Sequence, residues 1–513
     1  MPVITLQLGQ CGNQLGCSFF HKLASELSAN DYGYAAVNEY YRAGPDITSG
    51  IYTARSVLID MEPKVVAGAR ASAAASGSWW RYSSTGYLVM QSGSGNNWSQ
   101  GFHGYGPRVH DAALELVRRE VEAADCLTGF LLLQSMAGGT GAGLGTYVAQ
   151  ALKDEYHAAF ITNCCVWPYE SGEVIVQPYN TLFTLSHLSD LSDGIVLLEN
   201  EALHRTCAKL MGIARPSFTD MNGIAARALV SVLLPSQPRG PHSGGSHAPT
   251  HTSGGSGPGA ATGSGASPGL QLPALRRTPG SGGRGVGSEG AAAAAGGSVL
   301  GAPRRSSASP ASCPPPSTSP LADLVSHLCC HPAYRMLTLR AIPQLPPSSI
   351  NFTTFTWPAI LKRLRQMLVT GSVLEEGMDW SVTPHSAGSG PAALVAGPRV
   401  NRAVANWLVL RGQGAGGVDV ADFADPALTA AWAVDPLSVS YNSHTFGRCQ
   451  LSASLLSNDR RCVGPIQRML EHAYGMLESR AFVHQYETYG MSVSDFQACF
   501  ARIEDITQRY VRL

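Results

Sequence analysis

Several features that assign proteins to common classes are absent from this sequence of 513 residues. Its 12 cysteines form no CxxC pair, so we expect neither a disulfide framework nor a zinc site of that kind. The 36 basic and 36 acidic side chains cancel, so bulk charge draws the chain neither to nucleic acid nor to an anionic membrane. The apolar runs fall far short of the ~20 residues that cross a bilayer, and the first residues carry no secretion signal. We expect a cytosolic protein without nucleic-acid or membrane partners.

Common catalytic motifs are absent as well. The sequence contains no GxxxxGK(S/T), no GxSxG and no HExxH, which leaves P-loop, hydrolase and metalloprotease interpretations without support. A dinucleotide-binding dehydrogenase is the nearest rival, but it requires GxGxxG and an acidic residue about 20 positions later. The first glycine-rich turn instead has Gly9, Gly12 and Gly16. The dehydrogenase interpretation is weakened accordingly.

The first part of the chain alternates short apolar runs with helical stretches. Val3–Leu8, Ser56–Asp60 and Gly129–Gln134 are predicted strands, and the unbroken apolar character of the third suits a strand buried on both faces. Helical segments include Pro107–Ala124 and Thr146–Tyr156. This alternation predicts a Rossmann-like α/β domain with a parallel sheet.

The composition changes abruptly between residues 236 and 320. Gly, Ser, Pro and Ala dominate this segment, which predicts a disordered insertion with a root-mean-square span of about 50 Å. After it, strand and helix patterns interleave, which predicts a second, α+β domain. The final apolar positions line one helical face and predict two long helices over residues 463–513: Phe496, Phe500, Ile503, Ile506 and Tyr510.

Two glycine-rich turns each follow a strand and open a helix. They are Gly9–Gly16 and Ala137–Gly143, and a third small-residue loop, Gly93–Trp98, precedes another helix. Glycine lets backbone N–H groups approach phosphate oxygens, and a helix N-terminus adds partial positive charge. One such turn alone is explained equally well by tight strand-to-helix packing. Two together favour a nucleotide site.

A pair of carboxylates ends the second predicted strand. The sequence has no P-loop lysine to neutralise the phosphates, so a cation has to do so, and Asp60 and Glu62 could hold it. Both residues are candidates to hold Mg²⁺ directly or through water. The alternative interpretation is an exposed, solvated loop.

These motifs resemble the tubulin family. Gln7–Gln14 is similar to the opening signature of tubulins, Ala137–Gly143 to their phosphate loop, and Ala481–Tyr486 to a further block. Asp60–Val65 and Phe352–Trp357 are among the blocks that resemble the delta class of that family. The resemblance covers nearly everything except the insertion. It implies the tubulin fold, with a GTP-binding domain at 1–219, a core helix at 220–235, the insertion at 236–320, an α+β intermediate domain at 321–462 and a C-terminal helical hairpin at 463–513.

The resemblance also implies the site residues, with GTP and Mg²⁺ as ligands and no catalytic residue assigned. Phosphate contacts fall on the loops, base contacts on Asn200 and Asn222, and ring stacking on Phe218, where the family usually has Tyr. Gln177 stands in place of the ribose-binding Glu, so weaker but real nucleotide binding is expected. The remaining implied contacts are Gln10, Cys11, Asn96, Ser135, Gly138, Gly139, Thr140 and Gly141.

Departures from the family pattern concern the polymer. A Glu of the alpha class reaches the GTP of the neighbouring subunit, whereas Ser326 stands at that place here, with Asp323 one turn away as a substitute. In-trans activation of hydrolysis is therefore expected to be poor. The insertion enters just before this segment, on a surface that subunit stacking would cover. The glutamate-rich C-terminal tail of alpha- and beta-tubulin is missing.

The implied function is a GTP-binding structural subunit of the cytoskeleton. Through the delta class, the resemblance implies a role in triplet microtubules of centrioles and basal bodies, in cilium formation, and association with alpha-, beta- or epsilon-type tubulins. The expected location is the cytoplasm, at centrioles and the base of cilia. The alternative is a non-polymerising regulatory GTP-binding protein that sequesters other tubulins or signals through them.

Overall fold

The structure, a computed structural model, describes residues 1–44, 50–172, 174–238, 319–350, 352–384 and 400–513. The strands of the described residues follow in chain order: β1 Val3–Leu8, β2 Tyr41–Ala43, β3 Tyr52–Ala54, β4 Ser56–Asp60, β5 Trp80–Arg81, β6 Tyr87–Val89, β7 Gly129–Ser135, β8 Phe160–Trp167, β9 Gly194–Glu199, β10 Gln237–Pro238, β11 Met336–Ile342, β12 Ala403–Gly412, β13 Leu437–Asn442 and β14 Leu451–Asp459.

The α-helices of the same residues are α1 Gly9–Ala29, α2 Gly33–Tyr40, α3 Pro63–Ala75, α4 Gly106–Glu122, α5 Gly145–Glu155, α6 Gln177–Leu191, α7 Asn200–Arg205, α8 Phe218–Leu233, α9 Pro320–Leu328, α10 Pro347–Ile350, α11 Trp357–Thr370, α12 Val463–Glu478, α13 Val483–Glu487 and α14 Val493–Val511. Wide π-helical turns at Gln100–Tyr105 and Thr140–Leu144 lead into α4 and α5.

A large sheet runs through the described residues in the order β10-β13-β12-β14-β11-β9-β8-β7-β1-β4-β6. From β9 to β6 every pair is parallel. All six residues of β1 are buried, because helices cover both faces of the sheet, and this explains its apolar run. The α/β architecture and the three predicted strands are confirmed.

The same sheet continues into the second half of the chain. Strand β11 pairs in parallel with β9 and antiparallel with β14. Strand β12 lies between β14, which is antiparallel to it, and β13, which is parallel. No break in the sheet marks the passage from the first half to the second, and the domain limits given above remain predictions.

Helix α8 lies between the two halves. It packs against α1 on one side and contacts β11 and β14 on the other. Its apolar residues Ala225, Leu229 and Val230 are buried in the core. Its N-terminus is closed by a capping box in which the Ser217 hydroxyl accepts from the backbone of Asp220. This helix joins the first half of the chain to the second half.

The C-terminal helices pack on α6. The apolar positions of α14 identified from the sequence are all buried, which confirms the predicted helical face: Phe496, Phe500, Ile503, Ile506 and Tyr510. The short helix α13 separates α12 from α14. Aromatic rings of α6, α13 and α14 meet edge to face there, including Tyr179 with Tyr486 and Tyr179 with Phe496.

Most of the predicted insertion, residues 239–318, lies outside the described residues. Its two ends are described. Gln237 and Pro238 form β10 beside β13, and Pro320 opens α9. Ordered structure therefore reaches inside both limits of the predicted segment. Across the described ranges, no helix combines the length and apolar character that crossing a membrane requires.

Candidate nucleotide site

The parallel strands bring the predicted site residues to one edge of the sheet. Register aligns Leu8 with Ile59, Gln7 with Leu133 and Trp167 with Glu199. The turns that follow β1, β4, β7 and β9 therefore open at the same carboxyl edge, where α/β sheets bind ligands. Asp60 and Ser135 end β4 and β7 at this edge, and Gln10 and Asn200 lie in the first turns of α1 and α7, which follow β1 and β9.

The first two glycine-rich turns touch each other. Gly9 has a positive φ of 68°, and a Cβ on it would lie 2.8 Å from the backbone nitrogen of Gly141. A Cβ on Gly12 would collide with the Leu133 carbonyl, so that glycine serves helix packing. Helix α1 begins at Gly9, and its first N–H groups lack helical partners. Backbone donors are thus available at the edge for an anion.

The third loop closes on the second turn. The hydroxyls of Ser94 and Thr140 are hydrogen-bonded at 2.9 Å. A Cβ on Gly139 would lie 2.6 Å from the Asn97 carbonyl oxygen. Asn96, which has a positive φ of 53°, places its Oδ1 3.7 Å from the Cβ position of Gly138. A Cβ fits at Gly138 but not at Gly139, so backbone of the second turn packs directly on backbone of the third loop, and the two loops form a shared cradle.

The carboxylate pair lies beside this cradle. The Asn13 amide donates to the carbonyls of Gly9, at 2.9 Å, and Ile59, at 3.2 Å, which ties the first turn to the end of β4. The Oε1 of Glu62 lies 2.5 Å from the Cβ position of Gly93. The buried Asp60 accepts at Oδ1 from the backbone N–H of Met61 at 2.7 Å. Burial raises the pKa of Asp60 to about 6.

The available donors suit a magnesium ion that is also bound by phosphate and water, and they do not suit a metal ion held by protein side chains alone. Within the described residues, no group of three or more His, Cys, Asp or Glu side chains could hold a metal ion. Magnesium commonly takes one or two carboxylates and completes its shell with water and phosphate oxygens. Asp60 and Glu62 supply that pair. Their role as magnesium residues remains a prediction.

The residues assigned to the base lie on α7 and α8. Asn200 is the first residue of α7, while Phe218 begins α8 and Asn222 follows one turn later. The Phe218 side chain is 58% exposed. Among the described residues, neither Asn200 nor Asn222 donates its side-chain amide to a protein acceptor, so both amides are available to a ligand.

Gln177, the first residue of α6, is bonded to the loop that precedes this helix. Its Nε2 donates to the Tyr169 carbonyl at 2.6 Å, a bond that a Glu carboxylate at this position could not donate. The Tyr169 hydroxyl in turn donates to the Met221 sulfur at 3.2 Å. Tyr169 therefore connects the start of α6 to α8. No sequence motif distinguishes this tyrosine.

The remaining residues that are predicted to contact phosphate lie in two environments. Gln10 is exposed at the carboxyl edge of the sheet, whereas Cys11, the next residue of α1, is half-buried. Desolvation raises the pKa of the Cys11 thiol to about 12, so the thiol stays protonated at neutral pH and is a poor nucleophile. Ser135 accepts at its Oγ from the backbone N–H of Ala137 at 3.2 Å, which shapes the second turn.

The proposed polymer-contacting segment is α9. Ser326 is exposed on it, and Asp323 is half-buried one turn earlier. Burial raises the pKa of Asp323. The hydroxyl of Ser319, just before α9, donates to the buried carboxyl of Glu39 at 3.2 Å. The start of α9 is thus anchored to α2.

Comparison with known proteins agrees with this geometry. A profile described as Tubulin/FtsZ family, GTPase domain matches residues 2–208. The chain is 35% identical over 526 residues to the Tubulin delta chain of Homo sapiens, with 100% of both chains covered. It is 35% identical over 525 residues to that of Macaca fascicularis, also with 100% of both covered, and 35% identical over 523 residues to that of Mus musculus, with 99% of both covered. The chain therefore belongs to the tubulin family and is a tubulin-type cytoskeletal protein, whose GTPase domain implies the binding of GTP.

Proposed function

We propose that GTP with Mg²⁺ occupies the carboxyl edge of the sheet. The phosphates lie in the cradle formed by the turn after Gly9, the loop 135–141 and the loop 93–98. Asp60 and Glu62 hold the metal ion, which neutralises charge on the phosphates. Asn200 and Asn222 bond the guanine edge, Phe218 stacks on the ring, and Gln177 faces the ribose. The contact between Gly9 and Gly141, which leaves room for backbone only, is the observation that carries this assignment.

We further propose that the chain is a structural subunit in the assembly of triplet microtubules at centrioles and basal bodies, and so in cilium formation. Whole-length similarity to Tubulin delta chains supports a role distinct from that of the ordinary lattice subunits. The partners are other tubulins of alpha, beta or epsilon type. Exposed Ser326 offers no carboxylate to a neighbour's nucleotide. Slow or absent hydrolysis in a stacked pair follows from this.

Replacement of the chain in ciliated cells tests the cellular role. Cells depleted of the chain should lose triplet microtubules, as counted by electron tomography of centrioles, and the tagged wild-type chain should restore them. A Gly139→Val variant should fail to restore them, because its side chain enters the cradle. A matched Gly68→Val variant on α3 has open space around the substituted position, so it controls for expression and tagging.

The regulatory alternative gives a different result in the same cells. A sequestering or signalling protein would be diffuse in the cytosol and its depletion would leave triplets intact. The proposal predicts discrete foci at centrioles and at the base of cilia. A variant without residues 241–316 keeps β10 and Ser319, and it tests whether the insertion restricts assembly. Normal triplets after depletion, together with diffuse staining, would overturn the structural role.

A further inference from the structure

One buried asparagine makes four hydrogen bonds, three of them to the loops 93–98 and 135–141. Asn180, on α6, has no exposed surface. Its Nδ2 donates to the Asn96 carbonyl at 2.8 Å and to the Ala137 carbonyl at 2.6 Å. Its Oδ1 accepts from the backbone N–H of Trp98 at 2.9 Å and from the Tyr486 hydroxyl at 2.6 Å. All the hydrogen-bonding capacity of the side chain is used.

The two carbonyl partners fix which side chain can stand at this position. Asn96 belongs to the loop 93–98 and Ala137 to the loop 135–141, and these loops form the cradle. A single amide group that donates to both carbonyls sets the distance between the loops. Aspartate would place a carboxylate against two carbonyl oxygens, and an aliphatic side chain would leave both without a donor. The spacing of the cradle therefore depends on the amide of Asn180.

The hydroxyl partner of Asn180 comes from the other end of the chain. Tyr486 lies on α13, and its ring packs against Phe183 of α6 and Phe496 of α14. Two further bonds join the same regions. The Asn97 amide donates to the Gln485 carbonyl at 3.0 Å, and the Ser99 hydroxyl donates to the Tyr486 carbonyl at 3.4 Å. Helix α13 is therefore hydrogen-bonded to the end of the loop 93–98 and to Ser99, which follows it.

We propose that Asn180 is a positioning residue for the phosphates of the nucleotide and that Tyr486 couples this position to the C-terminal helices. This inference rests on the proposed GTP site. It assigns to Asn180 no contact with the nucleotide. Loss of the Tyr486 hydroxyl releases one restraint on Asn180 and loosens the cradle, while the base pocket on α7 and α8 is unchanged. Occupation of the cradle should in turn order the segment around α13.

A second asparagine and tyrosine pair with the same chemistry provides a matched control. The Tyr510 hydroxyl donates to Asn458 Oδ1 at 2.8 Å, and the Asn458 amide donates to the carbonyls of Leu328, at 2.9 Å, and Tyr334, at 2.8 Å. Both side chains are buried. This pair joins α14 to the second half of the sheet and touches neither phosphate loop. Its loss should affect stability alone.

The experiment compares Tyr486→Phe with Tyr510→Phe, and Asn180→Ala with Asn458→Ala, in the full chain. Affinities for GTP and for guanosine, which lacks phosphates, are measured by competition with a fluorescent GTP analogue in Mg²⁺. We expect Tyr486→Phe to weaken GTP binding about threefold to tenfold and Asn180→Ala more than tenfold, with guanosine binding changed less than twofold. The controls should lower the melting temperature and leave GTP affinity unchanged.

The outcomes separate this inference from the proposed function. If the wild-type chain binds no guanine nucleotide, both are overturned. If it binds GTP and Tyr486→Phe matches Tyr510→Phe in every affinity, only the coupling is overturned, and this comparison remains valid even where Asn180→Ala does not fold. Equal weakening of GTP and guanosine would also overturn it. Hydrogen exchange provides the second readout, since GTP should protect residues 485–487 in the wild type and protect them less in Tyr486→Phe.

Discussion

Glu39 and Ser319 meet in the interior, where the Ser319 hydroxyl donates to Glu39 Oε1 at 3.2 Å. Only 2% of Glu39 is exposed, and burial raises its pKa from an ordinary value of 4.5 to about 8. The N-terminal ammonium lowers that pKa and Asp323 raises it, but burial is the largest cause. The carboxyl group that anchors the start of α9 is therefore largely protonated at neutral pH.

This anchor predicts a pH-dependent stability. Because the folded state binds the proton more tightly than the unfolded state, the free energy of unfolding falls as pH rises from 4.5 to about 8. A Glu39→Gln variant cannot ionise, so it should gain on the order of 2–4 kcal/mol over the wild type at pH 8.5 and little at pH 4.5. Chemical denaturation across this range measures the difference. The exposed Glu478→Gln is the control, and a Glu39→Gln curve parallel to the wild-type curve would contradict the account.

A second prediction concerns the contact between the glycine turns. Gly9→Ala puts a methyl group against the backbone of Gly141, and it should abolish measurable GTP binding. Gly33→Ala is the matched control, since Gly33 has a similar positive φ of 78° and open space around it. The control should cost about 1 kcal/mol of stability and leave GTP affinity intact. Equal affinities of the two variants would show that the first turn does not approach the nucleotide.

A third prediction concerns the metal ion. The carboxyl group of Asp60, with a pKa of about 6, has to be ionised to hold Mg²⁺. The affinity of the GTP-bound protein for Mg²⁺ should therefore fall about tenfold per pH unit below pH 6, beyond the fall caused by protonation of GTP itself. Asp60→Asn should bind Mg²⁺ weakly at every pH and show only the contribution of GTP. Titration calorimetry at pH 5.0 and 7.5 makes the comparison. Identical pH profiles of the wild type and Asp60→Asn would show that Asp60 does not hold the metal ion.

A fourth prediction separates base recognition from phosphate recognition. Asn222→Ala removes an uncommitted amide from the base side, so it should weaken GTP binding by about 1–3 kcal/mol and reduce the preference for GTP over ATP. Asn96→Ala, on the phosphate side, should weaken both nucleotides alike and keep their ratio. Competition against a fluorescent GTP analogue gives both ratios. An unchanged preference for GTP over ATP in Asn222→Ala would show that Asn222 does not recognise the base.

Local sequence patterns predicted the parallel half of the sheet closely. Strand β1 was predicted at its observed limits, and β7 extends one residue beyond its predicted end at Gln134. These strands are buried on both faces, so apolar composition is itself the signal. The glycine turns were likewise readable, because close backbone contact at Gly9 and Gly139 requires a particular residue type. The structure brings the glycine-rich turns and the loop 93–98 into contact, and their role in phosphate binding stays a prediction.

Long-range contacts could not be predicted from local sequence patterns. Two of the four partners of Asn180 are backbone carbonyls 84 and 43 positions away, and backbone atoms leave no trace in sequence composition. The pairing of β9 with β11 joins strands separated by the whole insertion, so the continuity of the sheet followed from tertiary packing. Gln177 was assigned by resemblance, and its bond to Tyr169 depends on how one loop folds back.

The nucleotide selectivity of the purified chain is the sharpest test of the proposed GTP site. Calorimetric titration with GTP and with ATP, in the presence and absence of Mg²⁺, measures stoichiometry and affinity together. We expect one GTP per chain, a preference over ATP on the order of 100-fold or more, and much weaker binding once Mg²⁺ is removed. A chain that binds neither nucleotide, or binds GTP and ATP equally well, would contradict the site described at the carboxyl edge of the sheet.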